Sequence, residues 1–373
     1  MPFHRTQPPA VCLVIRSVAL IAVCCVLSAC DRRGNGSAGS AEWQAERKPA
    51  PIIGAYYYPW YWPSRWTEQP VANTPKLGHY SSDDPKAAKQ HIAWAREADI
   101  DFFIMSWLSP EGPEDRNLKQ TLVPALEKEH YRFIILYETR LALGWPYDKP
   151  IDMDQTLPNA TKAGYTMAEH FEYLAETYFR SPSYFRVDGK PVVILYAMGY
   201  TANAEPYFKY LRQRLAKRGL DPYLIADIVY WDPLEKNDWG LLKKHFQAIT
   251  TYNLWTRPNF LNAVRAQFRV ADRMARESGL RLIPNVMPGY DDTRLRGLTR
   301  EIFDRRGGQF YRDYWSLASD FVDARQPFLF ITSFNEWHEG SELEPSAEYG
   351  DTYLELTRKQ TAELRKTLGL PKP

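Results

Sequence analysis

The sequence predicts an α/β fold built as a single (β/α)8 TIM barrel, and three observations carry that expectation. From Pro51 onward, short apolar runs alternate with longer amphipathic stretches, the pattern of strand and helix units around a parallel sheet. Eight such runs can be counted, the number that closes a barrel. The first run ends in Tyr56-Tyr57-Tyr58-Pro59-Trp60 rather than in a glycine-rich phosphate loop, which weakens the alternative of an open, nucleotide-binding sheet.

The N-terminus is read apart from the fold. Arg5 and Arg16 lead into the apolar run Ser17 to Leu27, and no acidic residue occurs before Asp31, which is the form of an export signal. The run is short for a spanning helix. It closes on Leu27-Ser28-Ala29-Cys30, which resembles the bacterial lipoprotein cleavage box. Residues 1–29 are therefore expected to be a lipoprotein signal peptide, with lipidation at Cys30. A plain signal peptide or an uncleaved anchor helix is the alternative. Residues 30–50, rich in Gly, Ser, Ala and charge, read as a flexible tether, and residues 51–373 as the folded barrel domain. The expected location is the cell envelope, with a lipid anchor in a membrane and the domain facing the periplasm or the cell surface.

Of four cysteines, Cys12, Cys24 and Cys25 fall in the signal and Cys30 alone remains. The mature chain then has no disulfide, which a core of this size does not need. Without Arg5 and Arg16 the 47 basic residues become 45, equal to the 45 acidic ones. That balance gives no sign of a nucleic-acid partner, and the chain is expected to be a monomer. Tryptophan (12) and tyrosine (24) are abundant, which suits either a large aromatic core or flat platforms for sugar rings.

The expected strands run, in order, over Ile52 to Pro59, Ile100 to Trp107, Tyr131 to Glu138, Pro191 to Met198, Tyr223 to Val229, Ala248 to Trp255, Arg281 to Pro288 and Pro327 to Phe334. Helical patterns between them include Pro85 to Ala98, Leu118 to His130, Met167 to Phe179, Pro206 to Arg218 and Phe260 to Ser278. A last helix, Thr352 to Leu368, would complete the outer ring.

In such barrels functional groups collect where strands end, and the eighth end stands out. After Phe334 come Asn335-Glu336-Trp337-His338-Glu339-Gly340, two carboxylates three residues apart. In a helical or turn conformation they would face the same way, with roughly 5 to 6 Å between Cβ atoms. A close acidic pair raises one proton affinity and so supplies an acid and a base at neutral pH. A solvated helix face is the bland alternative, and the apolar strand before the pair argues against it. His338-Glu339 also begins like the zinc motif His-Glu-x-x-His, but Glu342 stands where the second histidine would be. No metal and no cofactor is expected. Trp107, Glu138, Tyr196, Tyr252 and Trp255 mark other strand ends. Glu138 would be costly to bury without a partner or ligand, and Arg140 offers an ion pair as the structural explanation.

These residues resemble glycoside hydrolase family 99, the endo-α-mannosidases and endo-α-1,2-mannanases. The likeness rests on Tyr57-Tyr58-Pro59-Trp60-Tyr61, Leu77 to Pro85, Ser106-Trp107, Ile283 to Tyr290 with Asp292-Thr293 and Arg296, Thr332 to Gly340, and Tyr353 to Arg358. It implies a (β/α)8 barrel that cleaves within α-mannoside chains with retention. It implies that Glu336 deprotonates the substrate 2-hydroxyl, which attacks the anomeric carbon, and that Glu339 acts as general acid and then base. Trp107, Glu138, Tyr252 and Asn335 would line the sugar subsites, with Trp60, Tyr196 and His338 as further candidates. Tyr57, Arg296 and Trp337, within the same motifs, join the substrate-binding set. Two places depart from the family pattern: Arg65-Trp66 stands for a His-Trp pair, and Glu138-Thr139-Arg140 for a Glu-Pro-Tyr or Gln-Pro-Tyr. The expected partner is a polysaccharide or oligosaccharide. A non-mannan exopolysaccharide as substrate, or an inert carbohydrate-binding lipoprotein, are the competing readings.

Overall fold

A computed structural model of the chain describes residues 52–145, 150–153, 166–228, 234–252, 260–297 and 302–370. The expected signal peptide, the tether, Cys30 and the strand end at Trp255 lie outside the described residues.

Eight parallel strand positions form the barrel: β1 Ile52–Tyr57, β2 Phe102–Trp107, β3 Arg132–Tyr137, β4 Lys190–Leu195, β5 Tyr223–Asp227, β6 Ala248–Thr250, β7, and β8 Phe328–Ile331. Position β7 comes in two pieces, Arg281–Ile283 and Asn285–Val286, on either side of Pro284. Its first piece pairs with β6 and its second with β8. Proline has no N–H to donate to a ladder, and this is where the strand passes from one neighbour to the other. The remaining pairings follow chain order, and β1 lies between β8 and β2. The expected barrel is thus present. Most strands end earlier than the apolar runs suggested, most of all at β6, which stops at Thr250, then at β4 and β8, which stop at Leu195 and Ile331.

One main helix follows each strand: α1 Pro85–Glu97, α2 (Pro113–Asn117, then Leu118–Leu122 and Val123–Lys128), α3 Met167–Thr177, α4 Ala204–Ala216, α5 Trp239–His245, α6 Phe260–Glu277, α7 Gln309–Ser319 and α8 Thr352–Thr367. Their starts are written in the sequence. Asp84 caps α1 by accepting from Lys86 N, with Pro85 in the first turn, and Thr166 with Glu169 forms a capping box at α3. The middle of α2 is a π-helical turn, which a 3.6-residue period does not reveal. Helices α5 and α7 and the two-residue pair Ile151–Asp152 with Thr201–Ala202 were not anticipated.

The strands carry apolar residues on both faces because both are covered. Ile53, Ala55, Tyr57, Phe103, Met105 and Trp107 belong to the shell between sheet and helices. Tyr56, Tyr58, Phe102, Ile104 and Ile134 fill the barrel interior. Gly54 is required there, since a Cβ would lie 2.6 Å from the Phe102 ring. Phe102 stacks on Phe185 at 5.1 Å and meets Phe330 edge-on at 6.1 Å, so this part of the interior is an aromatic plug.

Candidate active site

The turn expected after Phe334 is present. Trp337–Glu339 forms one 3-10 turn, with Glu336 as its N-cap and Gly340 closing it in the left-handed conformation at φ +58°. Gly340 is confined further, because a Cβ there would come within 2.8 Å of Asp291 O and 2.9 Å of Asp291 N. Asp291 N donates to Glu339 O at 2.8 Å. Gly340→Ala should therefore push the β7 loop off Glu339 as well as strain the backbone. The expected cost is about 2 kcal/mol or more, read as a lower melting temperature.

Glu336 is 3% exposed. Its Oε1 accepts from His338 N at 3.1 Å and lies 3.1 Å from His338 Nδ1, while its own N donates to Ser333 Oγ at 2.7 Å. A carboxylate oxygen only accepts, so Nδ1 carries the imidazole proton. The His338 ring stacks on Tyr61 at 5.3 Å.

Glu339 is held from the opposite side. Tyr252 Oη donates to its Oε2 at 3.2 Å and Arg296 Nη1 to its Oε1 at 3.3 Å. Arg296 is itself anchored on Asp292 at 2.7 Å and Tyr290 Oη at 3.0 Å. The Glu339 side chain stays 16% exposed. Burial and the nearby Glu336 charge push its proton affinity up to about 7 against the pull of Arg296 and Tyr252. Removing Arg296 removes a positive charge that lowers it. Arg296→Gln should thus titrate Glu339 above about 7, as followed by carboxyl-carbon NMR, and an unmoved titration would separate the two residues.

Two more carboxyls point into the barrel. Glu138 accepts from Ser106 Oγ at 2.8 Å. Burial, then the charges of Glu336 and Glu339, raise it to about 7. The charges acting most on it are those of carboxylates, so its environment is the site rather than a simple ion pair with Arg140. Asp227, at the end of β5, is fully buried with Oδ1 on Tyr252 N at 3.2 Å. Burial, and then the Glu138 charge, hold its carboxyl well above the usual carboxylate range. Asp227 was not singled out from the sequence, and Ser106 was named only within the Ser106-Trp107 motif, without a role in the site. The available signal was a lone polar residue inside an apolar strand.

Among the other candidates, Tyr196 meets Tyr252 edge-on at 5.8 Å. Trp60 stacks on Tyr58 at 4.4 Å and lies 6.5 Å from His338. The structure turns three candidates elsewhere. Tyr57 faces α1, with its hydroxyl 2.9 Å from His91 Nδ1. Trp107 is fully buried and donates to Asp115 Oδ1 at 2.8 Å. Trp337 packs beneath the turn and donates to Glu344 Oε2 at 2.9 Å. Asn335 is also fully buried; its amide accepts from Tyr58 N at 2.7 Å and donates to Tyr58 O at 3.1 Å, tying β8 to β1.

Residues 65–357 match the family model described as glycosyltransferase WbsX. The chain belongs to the WbsX family. This WbsX-family chain is 26% identical over 350 residues to the glycoprotein endo-alpha-1,2-mannosidase of Mus musculus, covering 87% of the chain and 67% of that protein. It is 27% identical over 310 residues to the mouse endo-alpha-1,2-mannosidase-like protein, covering 76% and 63%. It therefore spans about two thirds of the length of these relatives. Its fold is that of the family 99 endo-alpha-mannosidase of Bacteroides thetaiotaomicron solved with Bis-Tris-propane, with a TM-score of 0.69 at 23% identity over 85% of this chain and 98% of that one. The resemblance to glycoside hydrolase family 99 drawn from the motifs is borne out.

Proposed function

We propose that this WbsX-family protein is a retaining endo-α-glycosidase of the endo-α-mannosidase type, acting on an α-linked polysaccharide of the cell envelope or outside it. The observation that carries the reading is the division of labour at the β8 end. Glu336 is buried and oriented by His338, whereas Glu339 is partly exposed, raised to about 7, and held by Tyr252 and Arg296. Two carboxyls in different environments are what acid and base roles require. The named activity of the mannosidase relatives supports the same reading.

In the proposed sequence Glu336 takes the proton of the substrate 2-hydroxyl as that oxygen attacks the anomeric carbon, and Glu339 protonates the departing glycosidic oxygen. A 1,2-anhydro sugar forms. Glu339, now a base, takes a proton from water, which opens the three-membered ring, and Glu336 returns its proton to O2. Two inversions leave the configuration retained. Glu138 and Tyr252 line the sugar site, together with Trp60 and Tyr196. The chain is further proposed to be a monomer carried on a lipidated Cys30 at the bacterial envelope.

The test is product analysis after the full chain is incubated with α-mannan and a panel of α-linked polysaccharides, without any activated sugar donor. Release of short oligosaccharides of retained configuration supports hydrolysis. Transfer only when a nucleotide sugar is supplied would favour the transferase that the family description names, and binding without release would favour a carbohydrate-binding protein.

A further inference from the structure

We propose that Arg65 forms an anion-binding subsite beside the carboxylate pair, selecting a glycan in which a sugar near the cleaved linkage is a uronic acid. The inference rests on reading the site as one that processes glycans.

The site wall can be followed outward residue by residue. Tyr58 stands among Glu138, Glu336 and Glu339, whose charges all act on its hydroxyl. Trp60 stacks on Tyr58 at 4.4 Å. The Arg65 guanidinium lies 5.1 Å from the Trp60 ring and 5.2 Å from the Trp62 ring. Arg65 sits on the short helix Pro63–Glu68 in the β1 loop, at the strand end where substrates enter a barrel.

Unlike the other arginines around the site, Arg65 is not committed to an acid. Arg296 is bound to Asp292 and Glu339, and Arg305 to Glu342 at 2.6 Å. Arg65 forms no ion pair among the described residues, and its Nε is buried without a hydrogen-bond acceptor. A buried N–H donor normally has a partner. A guanidinium held between two indoles is preorganised, and its fork matches a carboxylate in two parallel hydrogen bonds. Trp62, which is partly exposed, offers a flat face for a pyranose ring beside it. Their common ligand is a sugar with a planar anion attached. The neighbouring carboxylates would repel that anion if it sat at the reacting carbon, so the subsite serves an adjoining unit.

The experiment follows tryptophan fluorescence of the full chain carrying Glu339→Gln, titrated with short α-linked oligogalacturonides and with the same oligomers carboxyl-reduced to neutral galactose. The acidic form should bind about 10- to 100-fold more tightly. Adding Arg65→Gln should erase that difference without lowering the melting temperature, and Arg65→Lys should keep part of it. Equal affinity for the two forms, no binding of the acidic form, or a preference that survives Arg65→Gln would overturn the assignment. Cleavage by the wild type of neutral α-linked oligomers as efficient as that of the matching acidic ones would also overturn it while leaving hydrolysis in place. An Arg65-dependent preference in a wild-type chain that cleaves nothing would keep the subsite and remove the hydrolase reading.

Discussion

Glu339→Gln should lower kcat on a natural glycan by about 10³-fold, with near-normal rates of the first step restored on a glycosyl fluoride. A glutamine keeps the shape and its one amide oxygen can still accept from Tyr252 or Arg296, which now donate to different oxygens, but it has no acidic proton to give. Fluoride departs without one, so rescue identifies the lost function as leaving-group protonation. The pH profile supplies the second readout. Glu339 must be protonated to act as an acid and is raised to about 7, so wild-type activity should fall as pH rises through that value, and the variant should lack this limb. The stability that Glu339 costs the wild type should appear over the same rise in pH. A carboxyl whose folded proton affinity exceeds its unfolded one costs stability once pH passes both, and nothing below both. The variant should therefore melt above the wild type at about pH 8, with the gap closing toward the unfolded carboxyl range near 4.3. A variant with an unchanged pH profile would remove Glu339 from the acid role.

Glu336→Gln should be as damaging, with a loss of about 10³-fold, and a glycosyl fluoride should not rescue it. The amide oxygen can still accept from His338 N and Nδ1, where Oε1 now accepts both at 3.1 Å, so the turn keeps its geometry. What is lost is the base that makes the 2-hydroxyl nucleophilic, and no improvement in the leaving group replaces it. Fluoride rescue of this variant to the level seen with Glu339→Gln would mean that the two roles are assigned the wrong way round. A stopped-flow measurement of fluoride release distinguishes the two patterns directly.

Much of this was readable in the chain because parallel strands buried on both faces leave continuous apolar runs. All eight were found. The same continuity hides which face a residue takes. In Phe102–Trp107 every residue is buried, so nothing in the sequence says that Ser106 turns inward to Glu138 while Trp107 turns outward to Asp115. Tyr57 shares that ambiguity between Tyr56 and Tyr58. The Glu336 and Glu339 pair was legible because two carboxylates after an apolar strand have few structural uses. Asp227 was not, since a single acid at a strand end looks like the start of a loop until burial and its bond to Tyr252 N are seen. Strand ends were overestimated because an apolar run continues past the last ladder bond, as beyond Thr250 at β6.

The Asn335 amide makes the same pair of bonds to Tyr58 that a peptide group would make, and these two residues are 277 positions apart. The site is therefore assembled across the junction between the earliest and the latest strands to leave the ribosome. During synthesis β1 must wait for nearly the whole chain before its second neighbour exists. Completion of the barrel and completion of the site are one event, and a product terminated before β8 carries no partial site.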